Sequence, residues 1–155
     1  MKRVIFASTN QVIFGYRADE PYKTLFAVDK DSPSGEGYPP IRPIHAGQLT
    51  RPLNDYACSK VYGEALAHMY AFSHGMSCIC LRIGWVTSDN NMPSRILWCS
   101  QRDIVQLVQR CINAPPSLRF DIFFGQSDNP HNLVDIQHAR DVLGYQPQDR
   151  AEETP

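Results

Sequence analysis

The 155-residue sequence lacks several features that would assign it to a class at once. No apolar run approaches the roughly 20 residues that a membrane-spanning helix needs. The apolar stretch near the N-terminus, Val4–Ala7, is also too short for a signal peptide. The 15 lysine and arginine residues are balanced by 16 acidic residues, so the basic surplus typical of nucleic-acid binding is absent. We therefore expect a cytoplasmic protein with neither a nucleic-acid nor a membrane partner.

Signals for metal sites and disulfide frameworks are absent as well. The five cysteines contain no C-x-x-C pair, and the five histidines show no H-E-x-x-H spacing. The odd number of cysteines favours small, buried, unpaired thiols in a reducing compartment. We therefore predict no metal ion and no structural role for disulfides. The cysteines are Cys58, Cys78, Cys80, Cys99 and Cys111.

Short apolar runs and helical stripes do alternate along the chain. The segment from Gly15 to Asp55 is rich in proline and glycine and reads as a long loop, in which Val28 marks a short strand. An alternation of strands and helices is the signature of an α/β fold with parallel strands. We predict strands at Val4–Ala7, Cys78–Gly84 and Arg119–Gly125, and helices at Tyr56–Ser73, Ser100–Ile112 and Leu133–Leu143.

Tyr56 and Lys60 stand four residues apart at the start of a predicted helix, which places them on one face. An ammonium group beside a phenol favours the phenolate form, and such a tyrosine can exchange a proton with an alcohol or a carbonyl. The spacing by itself also fits a solvated surface pair. Its context favours chemistry, because ligands gather at the carboxyl ends of parallel strands. Thr9-Asn10 and Ile83-Gly84 follow two of those predicted ends.

With these motifs in order, the sequence resembles the extended short-chain dehydrogenase/reductases, the NAD-dependent epimerase/dehydratase group. Within the group it is most similar to the uronate dehydrogenases. The matching segments are Ala7-Ser8-Thr9-Asn10, the Y-x-x-x-K of Tyr56 and Lys60, Leu81-Arg82-Ile83-Gly84, Trp98-Cys99-Ser100, Gly125-Gln126-Ser127-Asp128-Asn129 and Ala139–Pro147.

The resemblance implies an activity and a set of site residues. The activity is NAD(P)-dependent oxidation of a sugar, with NAD as cofactor and NADP left open. Thr9, Tyr56 and Lys60 are the implied catalytic residues, and Lys60 together with Tyr56 and Ile83 would contact the cofactor. Asn10 and Arg95 would bind the sugar, with Arg95 suited to a carboxylate because a guanidinium donates two parallel hydrogen bonds. Trp85 takes the place of a serine that contacts substrate in the uronate enzymes.

The resemblance also implies the fold and its division. We expect the C-terminal part of a Rossmann-like, doubly wound parallel sheet with helices on both faces. Residues 1–125 would form the C-terminal half of the cofactor-binding domain, and 126–155 a short segment of the substrate lobe. The uncovered edge of the first strand would favour association, including a homo-oligomer.

One element of the family pattern has no counterpart in this sequence. The family binds the pyrophosphate of NAD with G-x-x-G-x-x-G after its first strand, whereas Gly35-Glu36-Gly37 opens no predicted helix. A truncated gene product, a natural short form and a degenerate remnant all fit this observation. We therefore expect impaired catalysis by the chain alone. Two alternative functions stay open: a nucleotide-sugar epimerase or dehydratase, and a non-catalytic homologue that acts as a binding or assembly subunit.

Overall fold

A computed structural model of the chain describes residues 3–31, 37–89 and 94–151. Three strands and four α-helices make up the described part, together with one 3-10 helix at Asn10–Ala18. The strands are β1 (Arg3–Thr9), β2 (Ser77–Ile83) and β3 (Phe120–Gly125), and the helices are α1 (Tyr22–Asp31), α2 (Asp55–Ser73), α3 (Gln101–Asn113) and α4 (Gln137–Leu143). None of the described helices is both long enough and apolar enough to cross a membrane.

The strands form one parallel sheet in the order β1-β2-β3. The register pairs Thr9 with Ile83, and Ile83 with Gly125. All three strands therefore end at the same edge of the sheet, and the residues that follow them are brought together there.

Helices cover both faces of the sheet, as the sequence predicted. Side chains alternate along each strand, so neighbouring residues face opposite layers. On one face, Ala67 and Ala71 of α2 pack with Cys78 and Cys80 of β2. On the other face, Leu107 of α3 and residues of α4 pack with Leu81 of β2 and Phe123 of β3. A third apolar cluster surrounds Ile13 of the 3-10 helix and Leu25 of α1.

The predicted strand at Val28 is wrong, because this residue lies within helix α1. Leu25 of that helix is fully buried against Val12 and Ile13. The surrounding proline and glycine residues favoured the prediction of a loop over that of a helix. The helix forms because it packs on the 3-10 helix, and this packing is not visible as local helix propensity. In the same stretch, residues 32–36, which include the first two residues of Gly35-Glu36-Gly37, lie outside the described part.

The last helix begins at Gln137 and not at the predicted Leu133. The backbone around Val134 instead forms a parallel bridge with Ile44. The Ile44 N–H donates to the carbonyl of Leu133 at 2.9 Å, and the Asp135 N–H donates to the carbonyl of Ile44 at 2.9 Å. This long-range pairing holds the segment extended until Asp135 accepts a hydrogen bond from the Gln137 N–H at 2.7 Å.

The C-terminal segment predicted at 126–155 is described as far as Ala151, and residues 152–155 lie outside the described part. It packs back on the sheet, because the buried Tyr145 lies in the apolar cluster that contains Leu81 of β2 and Phe123 of β3. The Tyr145 hydroxyl donates to the carbonyl of Gln126, the residue after β3, at 2.8 Å. Gly144 ends α4 with φ of 66°, a left-handed conformation that favours glycine.

All five cysteines are free thiols, as predicted. Four of them are buried, whereas Cys58 is exposed on α2, contrary to the expected burial. Burial raises the pKa of Cys80 and of Cys111 to about 12 each. These buried groups are therefore neutral thiols near neutral pH and serve as small apolar core residues.

Candidate active site at the carboxyl ends of the strands

Thr9 and Asn10 mark the point where β1 gives way to the 3-10 helix. The Thr9 hydroxyl oxygen accepts a hydrogen bond from the Gln11 N–H at 3.3 Å and so caps that helix. The hydroxyl hydrogen is not used in this bond and can be donated to another oxygen. Both side chains are buried at the sheet edge where the strands end.

Tyr56 and Lys60 are brought to the same edge by the first turns of α2. The Asn54 side chain caps the helix by accepting from the Ala57 N–H at 2.8 Å, and it also donates to the Gln11 side-chain oxygen at 3.0 Å. The start of α2 is thereby tied to the residues that follow β1. Tyr56 is 51% exposed, so its phenol is accessible from solvent.

Lys60 connects α2 to β1 beside the tyrosine. Its ammonium group donates to the carbonyl of Ala7 at 2.7 Å. The same Nζ lies 5.4 Å from the centre of the Tyr56 ring and 5.2 Å from the centre of the Phe6 ring. The Lys60 ammonium group therefore lies against the Tyr56 ring in a cation–π contact.

A cleft of about 290 Å³ opens at this edge of the sheet. Five of the seven predicted site residues line it, namely Thr9, Asn10, Tyr56, Ile83 and Trp85. None of its described lining residues is an aspartate, glutamate, lysine, arginine or histidine. Gly84, which the sequence places at the same strand end as Ile83, lines the cleft as well. The remaining lining residues, which the sequence did not predict, are Gln11, Phe14, Val86 and Leu97.

Asn10 has unused hydrogen-bonding capacity at the cleft. The residue is only 3% exposed, yet neither its amide nitrogen nor its amide oxygen has a hydrogen-bond partner among the described residues. Buried polar groups in folded proteins are nearly always paired, so an unpaired amide that lines a cleft points to a ligand as its partner. An amide offers both donors and an acceptor, which suits sugar hydroxyl groups.

Gly84 and Trp85 form the side of the cleft next to β2. The Trp85 N–H donates to the carbonyl of Leu97 at 2.7 Å, and its carbonyl accepts from the Cys99 N–H at 3.0 Å. This pairing brings the Leu97 carbonyl so close to Gly84 that a Cβ there would collide with it. Glycine is therefore required at this position, and the ring of Trp85 is left half-exposed at the cleft.

Arg95 is not among the described residues that line the cleft. It lies in the segment between β2 and α3. Its backbone N–H donates to Asp29 Oδ1 at 2.9 Å, the Ile96 N–H donates to the same oxygen at 3.2 Å, and the Ser94 hydroxyl donates to Oδ2 at 2.6 Å. The Tyr38 hydroxyl adds a fourth bond to this carboxylate at 3.0 Å. Burial and the adjacent Asp29 charge raise the pKa of Tyr38. Asp29 of α1 therefore anchors the segment that carries Arg95 and continues to Leu97.

Comparison with known proteins finds relatives along nearly the whole chain. Residues 1–106 match the family model described as NAD dependent epimerase/dehydratase family. The uronate dehydrogenase of Pseudomonas putida is 33% identical over 98% of this chain and 48% of its own length. The NAD-dependent glucose-6-phosphate dehydrogenase of Haloferax volcanii is 30% identical over 99% of this chain and 55% of its own length. The chain thus spans about half the length of these curated relatives.

A solved structure supports the same relationship. The crystal structure of a uronate dehydrogenase from Agrobacterium tumefaciens, a tyrosine-to-alanine mutant complexed with NAD, matches with a TM-score of 0.72 at 30% identity. The match covers 96% of this chain and 48% of that chain. The predicted Rossmann-like α/β fold is therefore confirmed.

Proposed function

The chain belongs to the NAD-dependent epimerase/dehydratase family, and from this membership we propose that it carries the acid/base and substrate-binding half of an NAD-dependent sugar oxidoreductase. Its favoured substrates would be hexuronates. The observation that carries the proposal is the cleft in which Thr9, Asn10 and Tyr56 meet, with Lys60 against the Tyr56 ring. Relatives named as uronate and sugar dehydrogenases support the substrate class.

The residues around the cleft fit one end of NAD. The Lys60 ammonium group uses one donor on the Ala7 carbonyl and has two more for the hydroxyls of the nicotinamide ribose. Ile83 and Tyr56 line the cleft beside it. The sequence contains no G-x-x-G-x-x-G for the pyrophosphate. The fit is therefore to the nicotinamide ribose end, and NADP is equally compatible with it.

In the proposed reaction, the hydride and the proton of the sugar are taken by different groups. NAD, when bound, supplies the acceptor for the hydride that leaves the anomeric carbon. Tyr56, acting as the phenolate, takes the proton of the anomeric hydroxyl and becomes a neutral phenol, so that loss of the proton and the hydride from the sugar leaves a C=O bond and yields a lactone. Thr9 donates its free hydroxyl hydrogen to the reacting oxygen. A general base must lie within hydrogen-bond reach of the proton that it removes, and Tyr56 is proposed to meet this requirement at the cleft.

Substrate recognition is proposed to combine polar and apolar contacts. The unpaired amide of Asn10 would bind sugar hydroxyls, and the half-exposed ring of Trp85 would pack against the C–H face of the sugar. Arg95 would bind the carboxylate of a hexuronate. The C-terminal residues 126–155 would contribute a short part of the substrate lobe.

Substitution of Tyr56 by phenylalanine tests the acid/base role. We expect Tyr56→Phe to reduce lactone formation by about 100-fold to 10,000-fold, the usual contribution of a general acid/base group, with little change in sugar binding. The measurement is production of reduced nicotinamide by the chain at high NAD and hexuronate concentrations. Tyr62→Phe is the matched control, since Tyr62 lies on the same helix and is 69% exposed. Undiminished activity of Tyr56→Phe would refute the role.

A non-catalytic binding or assembly subunit is the second candidate function. It is favoured by the lack of a glycine-rich pyrophosphate motif in the sequence and by the position of β1 at the edge of the described sheet. A wild-type chain that forms no lactone under the same conditions would favour this second function over the first.

A further inference from the structure

A buried ion pair lies between α2 and the sheet, close to the residues that line the cleft. Arg82 is 2% exposed and Glu64 is 5% exposed. Arg82 Nε donates to Glu64 Oε1 at 2.8 Å, and Nη2 donates to Oε2 at 2.7 Å, so the pair is bidentate. The Ser8 hydroxyl donates to Glu64 Oε1 at 2.7 Å. We call these three residues the Glu64 cluster.

Each member of the Glu64 cluster is adjacent to the candidate site along its own element. Ser8 immediately precedes Thr9 in β1, and Arg82 immediately precedes Ile83 in β2. Glu64 lies one turn beyond Lys60 on α2. The cluster therefore joins the two strand ends and the helix at the level of the residues that line the cleft.

Stability alone is a weak explanation for this arrangement. Removing two charges from water is costly, and well-packed apolar residues of similar volume often do as well as a buried ion pair. A bidentate guanidinium–carboxylate pair does fix the position of the two elements that carry it, because its two parallel hydrogen bonds are lost when one element slides or rotates against the other. Positioning also matters at a reaction centre, where a displacement of about 1 Å can cost on the order of 100-fold in rate.

We propose that Glu64, held by Arg82 and Ser8, is a positioning residue that sets the place of Tyr56 and Lys60 relative to Thr9. Its carboxylate fixes α2 along the sheet, and this placement brings the Lys60 ammonium group to the Ala7 carbonyl. Loss of the carboxylate charge leaves Arg82 buried without its counter-ion, and α2 then shifts against the ends of β1 and β2. The proposal rests on the acid/base function proposed for Tyr56.

Fluorine NMR on the chain labelled with 3-fluorotyrosine tests the proposal without NAD or sugar. The Tyr56 resonance is identified by its loss in Tyr56→Phe, and the Tyr145 resonance by its loss in Tyr145→Phe. We expect Glu64→Gln to shift or broaden the Tyr56 resonance while the Tyr145 resonance stays in place. Charge neutralisation at nearly constant volume makes this the least disruptive change to the Glu64 cluster.

Asp103→Asn is the matched control, because it neutralises another buried carboxylate on the opposite face of the sheet. Asp103 of α3 accepts hydrogen bonds from the Ser127 hydroxyl at 2.6 Å and from the Gln148 N–H at 2.7 Å. The reciprocal result is expected from it: the Tyr145 resonance moves and the Tyr56 resonance does not. A general loss of stability would instead move both resonances in both variants.

The proposal is overturned if folded Glu64→Gln protein keeps the wild-type Tyr56 resonance, or if Asp103→Asn moves that resonance equally. Where Glu64→Gln does not fold, Ser8→Ala replaces it, since this variant removes one bond to the carboxylate and retains the ion pair. Ser8→Ala is expected to move the Tyr56 resonance less than full loss of the carboxylate would, and no movement overturns the proposal. Full catalytic activity of Tyr56→Phe would instead refute the acid/base role, and the result expected for the Glu64→Gln spectrum does not depend on that role.

Discussion

At the residue scale, Asp29 determines the environment of the proposed carboxylate-binding arginine. Its carboxylate accepts hydrogen bonds from the backbone N–H groups of Arg95 and Ile96 and from the Ser94 hydroxyl. These bonds involve the Arg95 backbone, so truncation of the side chain leaves them in place. The Arg95 guanidinium can therefore be tested separately from the segment that carries it.

We expect Arg95→Ala to weaken the use of hexuronates and to leave neutral aldoses nearly unaffected. A charge-assisted hydrogen bond is worth about 1.5–3 kcal/mol, which corresponds to roughly 10-fold to 150-fold in kcat/KM. The measurement is kcat/KM for a hexuronate and for the matching neutral aldose, which serves as the internal control. An equal loss for both sugars would argue against carboxylate recognition.

Several site residues could be predicted from the sequence for local physical reasons. Tyr56 and Lys60 share a helix face because of their spacing, and Thr9, Asn10 and Ile83 follow strands whose parallel ends must coincide. Phe14 and Leu97 could not be predicted in this way. They reach the cleft through a 3-10 helix and an irregular segment whose paths depend on long-range backbone bonds.

At the element scale, the start of α2 is the feature on which the site depends most. Asn54 both caps this helix and donates to Gln11 in the 3-10 helix that follows β1. Both bonds act where Tyr56 enters the cleft. A change in this cap is therefore expected to affect stability and the placement of the phenol together.

We expect Asn54→Ala to lower the free energy of unfolding by about 1 kcal/mol, the typical cost of losing an N-cap. Asn54→Ser is the control, since serine retains the capping acceptor for the Ala57 N–H and loses only the amide donor to Gln11. Denaturant unfolding of the three proteins measures the difference. If the serine variant loses as much stability as the alanine variant, the cap is not the source of the effect.

Among the helices and strands, the sequence could not predict α1 or the start of α4. The three strands and helices α2 and α3 agree with their predicted positions within one or two residues. Helix α1 was missed because its burial of Leu25 depends on partners elsewhere in the chain. The start of α4 was misplaced because Ile44, far away in sequence, holds the segment around Val134 extended.

At the scale of the whole molecule, the described sheet has three strands, and β1 pairs with only one of them. The cleft holds residues that fit the nicotinamide ribose end of NAD, whereas the sequence lacks the glycine-rich motif for the pyrophosphate. Affinity for a dinucleotide depends on both ends of the ligand. The isolated chain is therefore expected to retain proton-transfer groups while binding the cofactor weakly.

Isothermal titration calorimetry of the isolated chain with NAD checks this expectation. We expect binding far weaker than that of the Pseudomonas putida uronate dehydrogenase measured in parallel, a relative about twice as long. The same titration with Lys60→Ala should weaken any remaining binding, because it removes the ribose donor. Tight binding of NAD by this chain alone would contradict the expectation.

The sequence by itself determined the α/β alternation, the parallel strand ends and the placement of Tyr56 and Lys60 on one helix face. These depend on residue periodicity and spacing, which are local properties of the chain. Only the tertiary structure decided that Asn10 is buried with no partner in the described part of the chain, that Asp29 anchors the Arg95 segment, and that Glu64 meets Arg82 and Ser8 between α2 and the sheet. Each of these features depends on residues that are distant in sequence, so it exists only once the sheet register and helix packing bring those residues together.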